Sequence, residues 1–431
     1  MRRWLAVLAV TGLLIACAGG GNDTTPAPTA GVPSTTTGTN PPESGASATP
    51  SDQTATEQTG TTTAQRTPPA TNIPNATAAA DPAATSSVEG RESDFAYGWN
   101  VALRGDDGGT EHNERAIQAV QDSGFGWVRF QLEWRQFQRQ RGSWDPLPMD
   151  RVIDQAHEAG LNILVVVAKA PEWALDQNGT DFLADYHEFT QFMAFVADRY
   201  RGKVQAWEIW NEQNLAHEMA GTVRVNDYFN LLRAGHIGVR LSDQNALVVF
   251  GGLTPNGVND QAIAIDDLLY LERIYAYRDG QIALYFDVLG VHLNSTHNPP
   301  DTMWPDNPSD QDGWNDHESF YFRRAEQLRE VMLAHGDESP MWITEFGWTT
   351  ENQSAGYEYG VNNSEEDVAE YLTRALEIAR DEWSFVTGAF VWNLNWSTLS
   401  TPDQEIYPWS ALYGDWSPRP AYLALQAFLK D

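Results

Sequence analysis

The chain has 431 residues, with 59 acidic and 27 basic side chains and a formal net charge of −32. A charge of this sign repels nucleic acids and other polyanions, so we expect no nucleic acid among the partners. The single cysteine, Cys17, leaves no intramolecular disulfide to stabilise the fold.

The first 16 residues have the pattern of an export signal. Arg2 and Arg3 precede an apolar run, 4–16, which is shorter than the roughly 20 residues that span a bilayer. The next motif, Leu-Ile-Ala-Cys at 14–17, resembles a bacterial lipobox. That resemblance implies cleavage before Cys17, acylation of Cys17 and an extracytoplasmic, membrane-anchored protein. An ordinary signal peptide with an incidental cysteine is the alternative.

Residues 17–92 are rich in Thr, Ser, Pro, Ala and Gly and have no hydrophobic period. Such a segment cannot bury enough apolar surface to offset the entropy of ordering, so we predict a disordered linker. Residues 93–431 have a globular composition with many aromatic side chains and no second low-complexity break. We therefore predict one folded domain, and we expect it to be a monomer.

The globular part alternates between apolar runs typical of strands and amphipathic stretches typical of helices. The predicted strands are 95–101, 126–130, 161–168, 204–210, 246–250, 286–293, 341–344 and 386–392. The predicted helices are 112–122, 149–159, 181–200, 228–241, 266–278, 318–334, 365–383 and 421–429.

Eight repeats of strand and helix predict a (β/α)8 TIM barrel. An open doubly wound sheet is the structural rival, and it usually carries a glycine-rich phosphate loop after its first strand. The residues after the first predicted strand, 104–109, lack that spacing, and no helix directly follows Gly251 and Gly252. A nucleotide-binding sheet is therefore rejected, and no cofactor is expected.

Polar and aromatic side chains lie at the ends of the predicted strands, where the active sites of TIM barrels are found. They are Arg129, Lys169, Asn211, Glu212, His292, Asn294, Glu345, Trp392 and Asn393. The chain has no His-x-His or His-Glu-x-x-His pattern for a metal and no Gly-x-Ser-x-Gly elbow. What remains is a pair of carboxylates, Glu212 and Glu345, and paired carboxylates are what cleavage of a glycosidic bond requires.

Several segments resemble clan A glycoside hydrolases, most closely family 39 and its polysaccharide-degrading relatives, with cellulase-like family 5 next. The resemblance covers about 95–430. Its segments are 128–130 with 133–134, 141–145, 170–174, 207–212, 287–292, 342–347 and 419–422.

The resemblance implies a retaining β-glycosidase that acts on a poly- or oligosaccharide. Glu345 matches the nucleophile, which would form a covalent glycosyl-enzyme. Glu212 matches the general acid/base, which would protonate the leaving oxygen and then deprotonate water. In this reading Glu212 starts the reaction protonated, and the two carboxyl groups lie about 5–5.5 Å apart.

Four more positions match substrate-binding residues of the family. Asn211 matches the residue that holds the sugar 2-hydroxyl, and Arg129 matches the arginine that orients the nucleophile. His292 matches the histidine of strand six, and Trp392 matches the platform beneath the reacting sugar. Lys169 has no assigned role.

One position departs from the family pattern. Relatives continue from the strand-six histidine with Pro-Tyr, and that tyrosine contacts the nucleophile, whereas this chain has Leu293 and Asn294. Whether Asn294 substitutes for the tyrosine is left open by the sequence, as are the sugar and endo or exo action. Two other functions are alternatives: a non-catalytic carbohydrate-binding lipoprotein and a transglycosylase that uses the same residues.

Overall fold

A computed structural model describes residues 95–306 and 317–430. The predicted export signal, Cys17 and the linker at 17–92 lie outside these residues. In the part of the chain that is described, no helix is long and apolar enough to cross a bilayer.

Eight parallel strands close into a barrel in which each strand pairs with its sequence neighbours and β1 also pairs with β8. The strands are β1 (Ala96–Asn100), β2 (Trp127–Glu133), β3 (Asn162–Ala168), β4 (Ala206–Ile209), β5 (Leu247–Leu253), β6 (Val288–Asn294), β7 (Met341–Gly347) and β8 (Val386–Val391). A small antiparallel pair, Asn259–Asp260 with Ala264–Ile265, lies in the loop after β5.

A helix follows each strand and covers the outside of the barrel. The helices are α1 (Gly109–Ser123), α2 (Leu147–Glu158), α3 (Tyr186–Arg199), α4 (Val225–Ser242), α5 (Asp267–Ala276), α6 (Arg324–Ala334), α7 (Glu365–Glu377) and α8 (Pro420–Phe428). A one-turn helix, Trp134–Phe137, directly follows β2. Because β3 is buried on both faces beyond its first residue, its sequence from Ile163 to Ala168 is an unbroken apolar run.

Local signals set the ends of several helices. Asp185 caps α3, because its carboxylate accepts a hydrogen bond from the backbone N–H of His187. Ser364 and Asp367 form a reciprocal capping box at the start of α7. Gly124 ends α1 in the left-handed conformation, with φ at 82°, which glycine adopts at little cost.

The barrel interior changes from apolar to polar along its axis. One buried layer is formed by Ala96, Leu164, Ala206, Val249, Val288, Trp342 and Phe390. Inward-facing residues recur every second position along a strand, so the next layer is reached two residues later. On β4 this step leads from Ala206 to Glu208, and on β2 it leads from Trp127 to Arg129. The polar layer therefore lies toward the carboxyl ends of the strands.

The predicted TIM barrel is confirmed, and the doubly wound sheet is excluded by closure of β1 onto β8. Three helix predictions are wrong at one end by five residues or more. The helix predicted from 181 begins at Tyr186, because Asp185 caps it. The stretch 318–334 is a 3-10 turn, Glu318–Phe320, followed by α6, and α7 passes into a π-helical turn, Ile378–Glu382.

Candidate active site

A buried ion pair forms the floor of the site. Arg129 on β2 donates from Nε to Glu208 Oε2 at 2.7 Å and from Nη2 to Glu208 Oε1 at 3.2 Å. Glu208 on β4 is fully buried and also accepts from the backbone N–H of Gly252 and from the Thr344 hydroxyl. A buried charge is stable only when it is paired and hydrogen-bonded, and here both conditions are met.

The same guanidinium holds the predicted nucleophile. Arg129 Nη1 donates to Glu345 Oε1 at 2.7 Å and to Asn100 Oδ1 at 2.6 Å, while Nη2 donates to Asn211 Oδ1 at 3.1 Å. Arg129 therefore orients the side chains of both Glu345 and Asn211, and it connects them to Glu208.

Glu345 lies within β7, which continues to Gly347, so the prediction that this strand ends at 344 is wrong. A register shift beside Val291 aligns Glu345 with His292 on β6. Burial raises the pKa of Glu345, since a carboxylate loses hydration there, while His292 and Arg129 oppose this shift. Burial therefore favours the neutral form of Glu345, whereas the two cationic groups favour its carboxylate form.

Glu212 lies three residues beyond the end of β4, because the strand ends at Ile209 rather than at 210. The intervening chain turns sharply, with φ of 73° at Trp210 and 51° at Glu212. Non-glycine residues in this region cost roughly 1–3 kcal/mol each, and such strain clusters at functional sites. A hydrogen bond from the Glu212 backbone N–H to Gly252 O, at 2.9 Å, holds the turn against β5.

His292 lies between the two catalytic candidates and is fully buried. Its Nδ1 is 3.1 Å from Glu212 Oε1, and its Nε2 is 3.6 Å from Glu345 Oε1. Burial alone would lower the pKa of His292, but the charges of Glu345 and Glu212 outweigh burial and raise it. The imidazole is therefore biased toward its protonated form beside both carboxyl groups.

Gly252 makes room for this histidine. A Cβ atom at position 252 would lie 2.3 Å from His292 Cδ2 and Nε2 and 2.8 Å from the Thr344 hydroxyl. No real side chain tolerates such contacts, so the glycine is needed for close approach of β5 to the site. The sequence showed a glycine pair here without revealing this purpose.

Glu212, His292 and Glu345 each place one ligand-type atom within 4.8 Å of the other two. Three such groups can in principle bind a metal ion. The Arg129 guanidinium, 2.7 Å from Glu345 Oε1, would repel a divalent cation at that oxygen. The arrangement suits proton transfer and nucleophilic attack better than metal binding.

Trp392 follows β8 directly and is half-buried. It packs against a cluster formed by Tyr357, Tyr359 and Trp409, and its ring centroid is 4.9 Å from that of Trp396. The structure thus places Trp392 at the carboxyl end of the barrel, with its ring only partly covered.

Asn294 and Lys169 also lie at strand ends, but neither is hydrogen-bonded to Glu345 in the described residues. Asn294 ends β6, and in the described residues its side chain makes no hydrogen bond to Glu345, whose donor is Arg129. Lys169, with φ of 59°, is bound by both oxygens of Glu218, at 2.5 and 2.6 Å. Neither residue reproduces the tyrosine contact of the resembled family.

Sequence reasoning missed Glu208 and Tyr357. Glu208 is a lone carboxylate inside an apolar strand, two residues after an inward-facing alanine, and that spacing was the available signal. Tyr357 lies in the long loop after β7, where no sequence period indicates the direction of a side chain.

A closed eight-stranded parallel barrel with glutamates at β4 and β7 defines the class as a clan A glycoside hydrolase. The sequence model of the cellulase family, glycosyl hydrolase family 5, matches residues 94–387, which is more than half of the chain. The protein belongs to glycosyl hydrolase family 5. Membership of clan A is thus confirmed, and the family that matches is the one expected second. Among curated proteins, none matches the chain significantly.

Solved structures from families 39 and 5 share the fold. A family 39 glycoside hydrolase from Bacteroides cellulosilyticus WH2 aligns with a TM-score of 0.55 at 17% identity, covering 79% of this chain and 64% of that chain. The family 39 enzyme from Xanthomonas axonopodis pv. citri aligns with a TM-score of 0.56 at 14% identity, covering 78% of this chain and 66% of that chain. A variant of a family 5 enzyme from Streptomyces cattleya, in complex with Manβ1-4GlcNAc, aligns with a TM-score of 0.54 at 17% identity. The alignment covers 78% of this chain and 80% of that chain. This chain therefore spans less than two thirds of the Bacteroides enzyme.

Proposed function

We propose that the protein is a retaining β-glycosidase that hydrolyses O-glycosidic bonds of a poly- or oligosaccharide. The observation that supports this most directly is the closeness of Glu212 and Glu345, whose carboxylate oxygens approach within 4.8 Å. Retaining enzymes hold their carboxyl groups about 5–5.5 Å apart, whereas inverting enzymes need about 6.5–9.5 Å to admit a water molecule. The separation here favours direct attack by one of the carboxylates.

In the first step, an oxygen of Glu345 attacks the anomeric carbon as the bond to the leaving oxygen breaks. Glu212 donates its proton to that oxygen, and a glycosyl ester remains on Glu345. Arg129 orients Glu345 and disperses its charge through the 2.7 Å hydrogen bond. An imidazolium at His292 donates from Nδ1 to Glu212 Oε1 and so orients the carboxyl group.

In the second step, Glu212 takes a proton from water as the water oxygen attacks the anomeric carbon. The ester bond to Glu345 breaks, so the product has the configuration of the substrate. Asn211, fixed by Arg129, is positioned to bind the sugar 2-hydroxyl, and Trp392 offers its half-buried ring as the platform below the sugar.

The decisive experiment uses an activated 2,4-dinitrophenyl β-glycoside with the parent enzyme, Glu345→Gln and Glu212→Gln. We expect Glu345→Gln to abolish turnover. Glu212→Gln should form the glycosyl-enzyme, because this leaving group needs no proton, but should hydrolyse it slowly. Intact-protein mass spectrometry would then detect a sugar adduct that proteolysis maps to Glu345. Full activity of Glu345→Gln would overturn the proposal, and binding without any turnover would indicate the non-catalytic alternative.

We also propose that Cys17 anchors the protein to a membrane outside the cytoplasm. The support is the sequence alone: Arg2 and Arg3, an apolar run, and the lipobox-like motif that ends at Cys17. Cys17→Ser should move the full-length protein from the detergent-extracted membrane fraction to the soluble fraction and abolish labelling by a fatty-acid analogue. Unchanged fractionation and labelling would indicate that Cys17 is incidental.

A further inference from the structure

Three largely buried aromatic side chains form a cluster, which we call the aromatic wall: Tyr357, Tyr359 and Trp409. Two of them come from the loop between β7 and α7, and Trp409 comes from the loop between β8 and α8. The ring centroid of Tyr357 lies 6.0 Å from that of Tyr359 and 6.2 Å from that of Trp409. Trp392, the proposed sugar platform, packs against this wall, so the wall adjoins the proposed sugar-binding position.

Tyr357 connects the wall to the catalytic acid. Burial raises the pKa of its hydroxyl far above the ordinary value, and the negative charges of Glu405 and Glu212 add to the shift. Tyr357 is only 7% exposed, and its hydroxyl has no hydrogen-bond partner in the described residues. A buried polar atom without a partner is costly in a folded protein, which suggests that its partner is a bound substrate.

Glu405 places a carboxyl group in these aromatic surroundings. Its Oε1 accepts a hydrogen bond from Trp409 Nε1 at 2.8 Å, and the described residues supply no Lys, Arg or His within ion-pair distance. Burial raises the pKa of Glu405 to about 7, and the Trp409 N–H opposes the shift only in part. The mechanism proposed above makes no use of this carboxyl group.

Two cationic side chains at the carboxyl end of the barrel are already paired with other carboxylates. Arg129 is saturated by Glu208, Glu345 and the two asparagines it contacts, and Lys169 is bound by both oxygens of Glu218. An acidic sugar at the wall would meet the carboxyl group of Glu405, which has no cationic partner in the described residues. A positively charged sugar would meet a matching charge.

We propose that Glu405 and the aromatic wall form a subsite for a sugar that carries a protonated amine, such as a glucosamine unit. This inference rests on the proposed glycosidase function and names its substrate class. Aromatic faces attract a cation through their quadrupole, and a carboxylate gives the ammonium group a charge-assisted hydrogen bond. The net charge of −32 also draws cationic polymers toward the protein and repels anionic ones.

The test measures binding to the Glu345→Gln variant, in which the substrate stays intact. Isothermal titration calorimetry at pH 7 compares four β-1,4-linked tetrasaccharides, made of glucosamine, N-acetylglucosamine, glucose and glucuronic acid. We expect the glucosamine tetramer to bind at least about tenfold more tightly than the others, and Glu405→Gln in the same background to abolish that preference. Equal binding, absence of glucosamine binding, or a preference that survives Glu405→Gln would overturn the inference.

Asp403→Asn is the matched control, because it removes one exposed carboxylate from the same loop. If this change also abolished the preference, the effect would be one of general charge, and the subsite would be rejected. A melting temperature of Glu405→Gln equal to that of the parent protein would verify that the variant is folded.

The pH dependence provides a second readout that needs no variant. The titratable groups facing Glu405 are the hydroxyls of Tyr357 and Tyr359, and burial keeps both neutral by raising their pKa. The preference should therefore weaken as the pH falls below about 7 and Glu405 becomes protonated. A preference that is constant from pH 5 to pH 8 would contradict the role of Glu405. Hydrolysis of a neutral aryl glycoside by the parent enzyme tests the proposed function separately.

Discussion

His292 Nδ1 lies 3.1 Å from Glu212 Oε1, so the general acid proposed at β4 is in direct contact with a side chain from β6. The other nitrogen of the same imidazole lies 3.6 Å from Glu345 Oε1. A single buried ring therefore couples the protonation of the two carboxyl groups, and a change at His292 is felt by both of them.

Replacement of His292 should change the pH profile. The charge on His292 lowers the pKa of Glu345, while burial raises it. In His292→Asn the lowering influence is lost, so the pKa of Glu345 rises further. Glu345 must be ionised to attack, and its ionised fraction falls as the pH falls through its pKa. The acid limb of kcat/KM should therefore move to higher pH, as measured with an aryl glycoside between pH 3 and pH 8.

His335→Asn is the control for that profile. His335 follows α6, stacks on Tyr275 and lies 3.3 Å from the exposed carboxylate of Glu272. Its loss should leave the acid limb in place. An acid limb that stayed fixed in His292→Asn, or moved to lower pH, would contradict the coupling.

Removal of Arg129 should destabilise the fold as well as impair catalysis. Arg129→Met would leave Glu208 buried without its counter-charge and Glu345 with His292 alone, and breaking a buried pair in this way costs about 3–5 kcal/mol. Urea unfolding followed by tryptophan fluorescence would measure the loss. Adding Glu208→Gln to Arg129→Met should recover part of it, because the uncompensated charge of Glu208 is then gone.

Arg199→Met is the comparison for Arg129. Arg199 pairs with Asp150 at 2.6 Å on the partly exposed surface, and surface pairs contribute only about 0–1 kcal/mol. Equal costs for the two arginine variants would show that the buried network is not what stabilises the barrel floor.

The barrel and the two glutamates were predictable from the sequence for a physical reason. Parallel strands buried on both faces give unbroken apolar runs, as in β3, and the polar residue that follows each run lies at one end of the barrel. Glu212 and Glu345 follow such runs, so a count of strands places them together. The exact strand ends were less predictable, because Trp210 and Glu212 leave β4 through left-handed conformations that no propensity indicates.

The remaining features depend on contacts that the sequence does not show. Glu208 matters because β4 aligns with β3 and β5 in a register that turns its side chain inward, toward Arg129. Tyr357 and Glu405 lie in loops after β7 and β8, whose paths are set by packing against each other. The missing tyrosine of strand six was correctly noted in the sequence, but hydrogen bonding to Glu345 by Arg129 is visible only in the fold.

Loss of the Trp392 ring should weaken catalysis more than folding. In Trp392→Ala the face beneath the sugar is removed, and we expect kcat/KM for an aryl glycoside to fall about 10- to 100-fold, or roughly 1.4–2.8 kcal/mol. Trp144→Ala is the matched control. Its half-buried ring stacks on Phe195 of α3, with centroids 4.2 Å apart, in the helix layer. Trp144→Ala should lower the melting temperature without changing kcat/KM. If Trp392→Ala instead lowered the melting temperature and left kcat/KM unchanged, Trp392 would not be a substrate-binding residue.

Gly252→Ala tests how tightly β5 must approach His292. The added methyl group would lie 2.3 Å from the His292 ring, so the ring must move away from Glu212 and Glu345. Overpacking of this kind costs about 1–3 kcal/mol of stability, and the displaced imidazole should also lower kcat. Gly126→Ala is the matched control, since a Cβ there meets nothing within 4 Å. Thermal melting and kcat would be measured for both, and parent-like kcat in Gly252→Ala would show that the position of His292 is not critical.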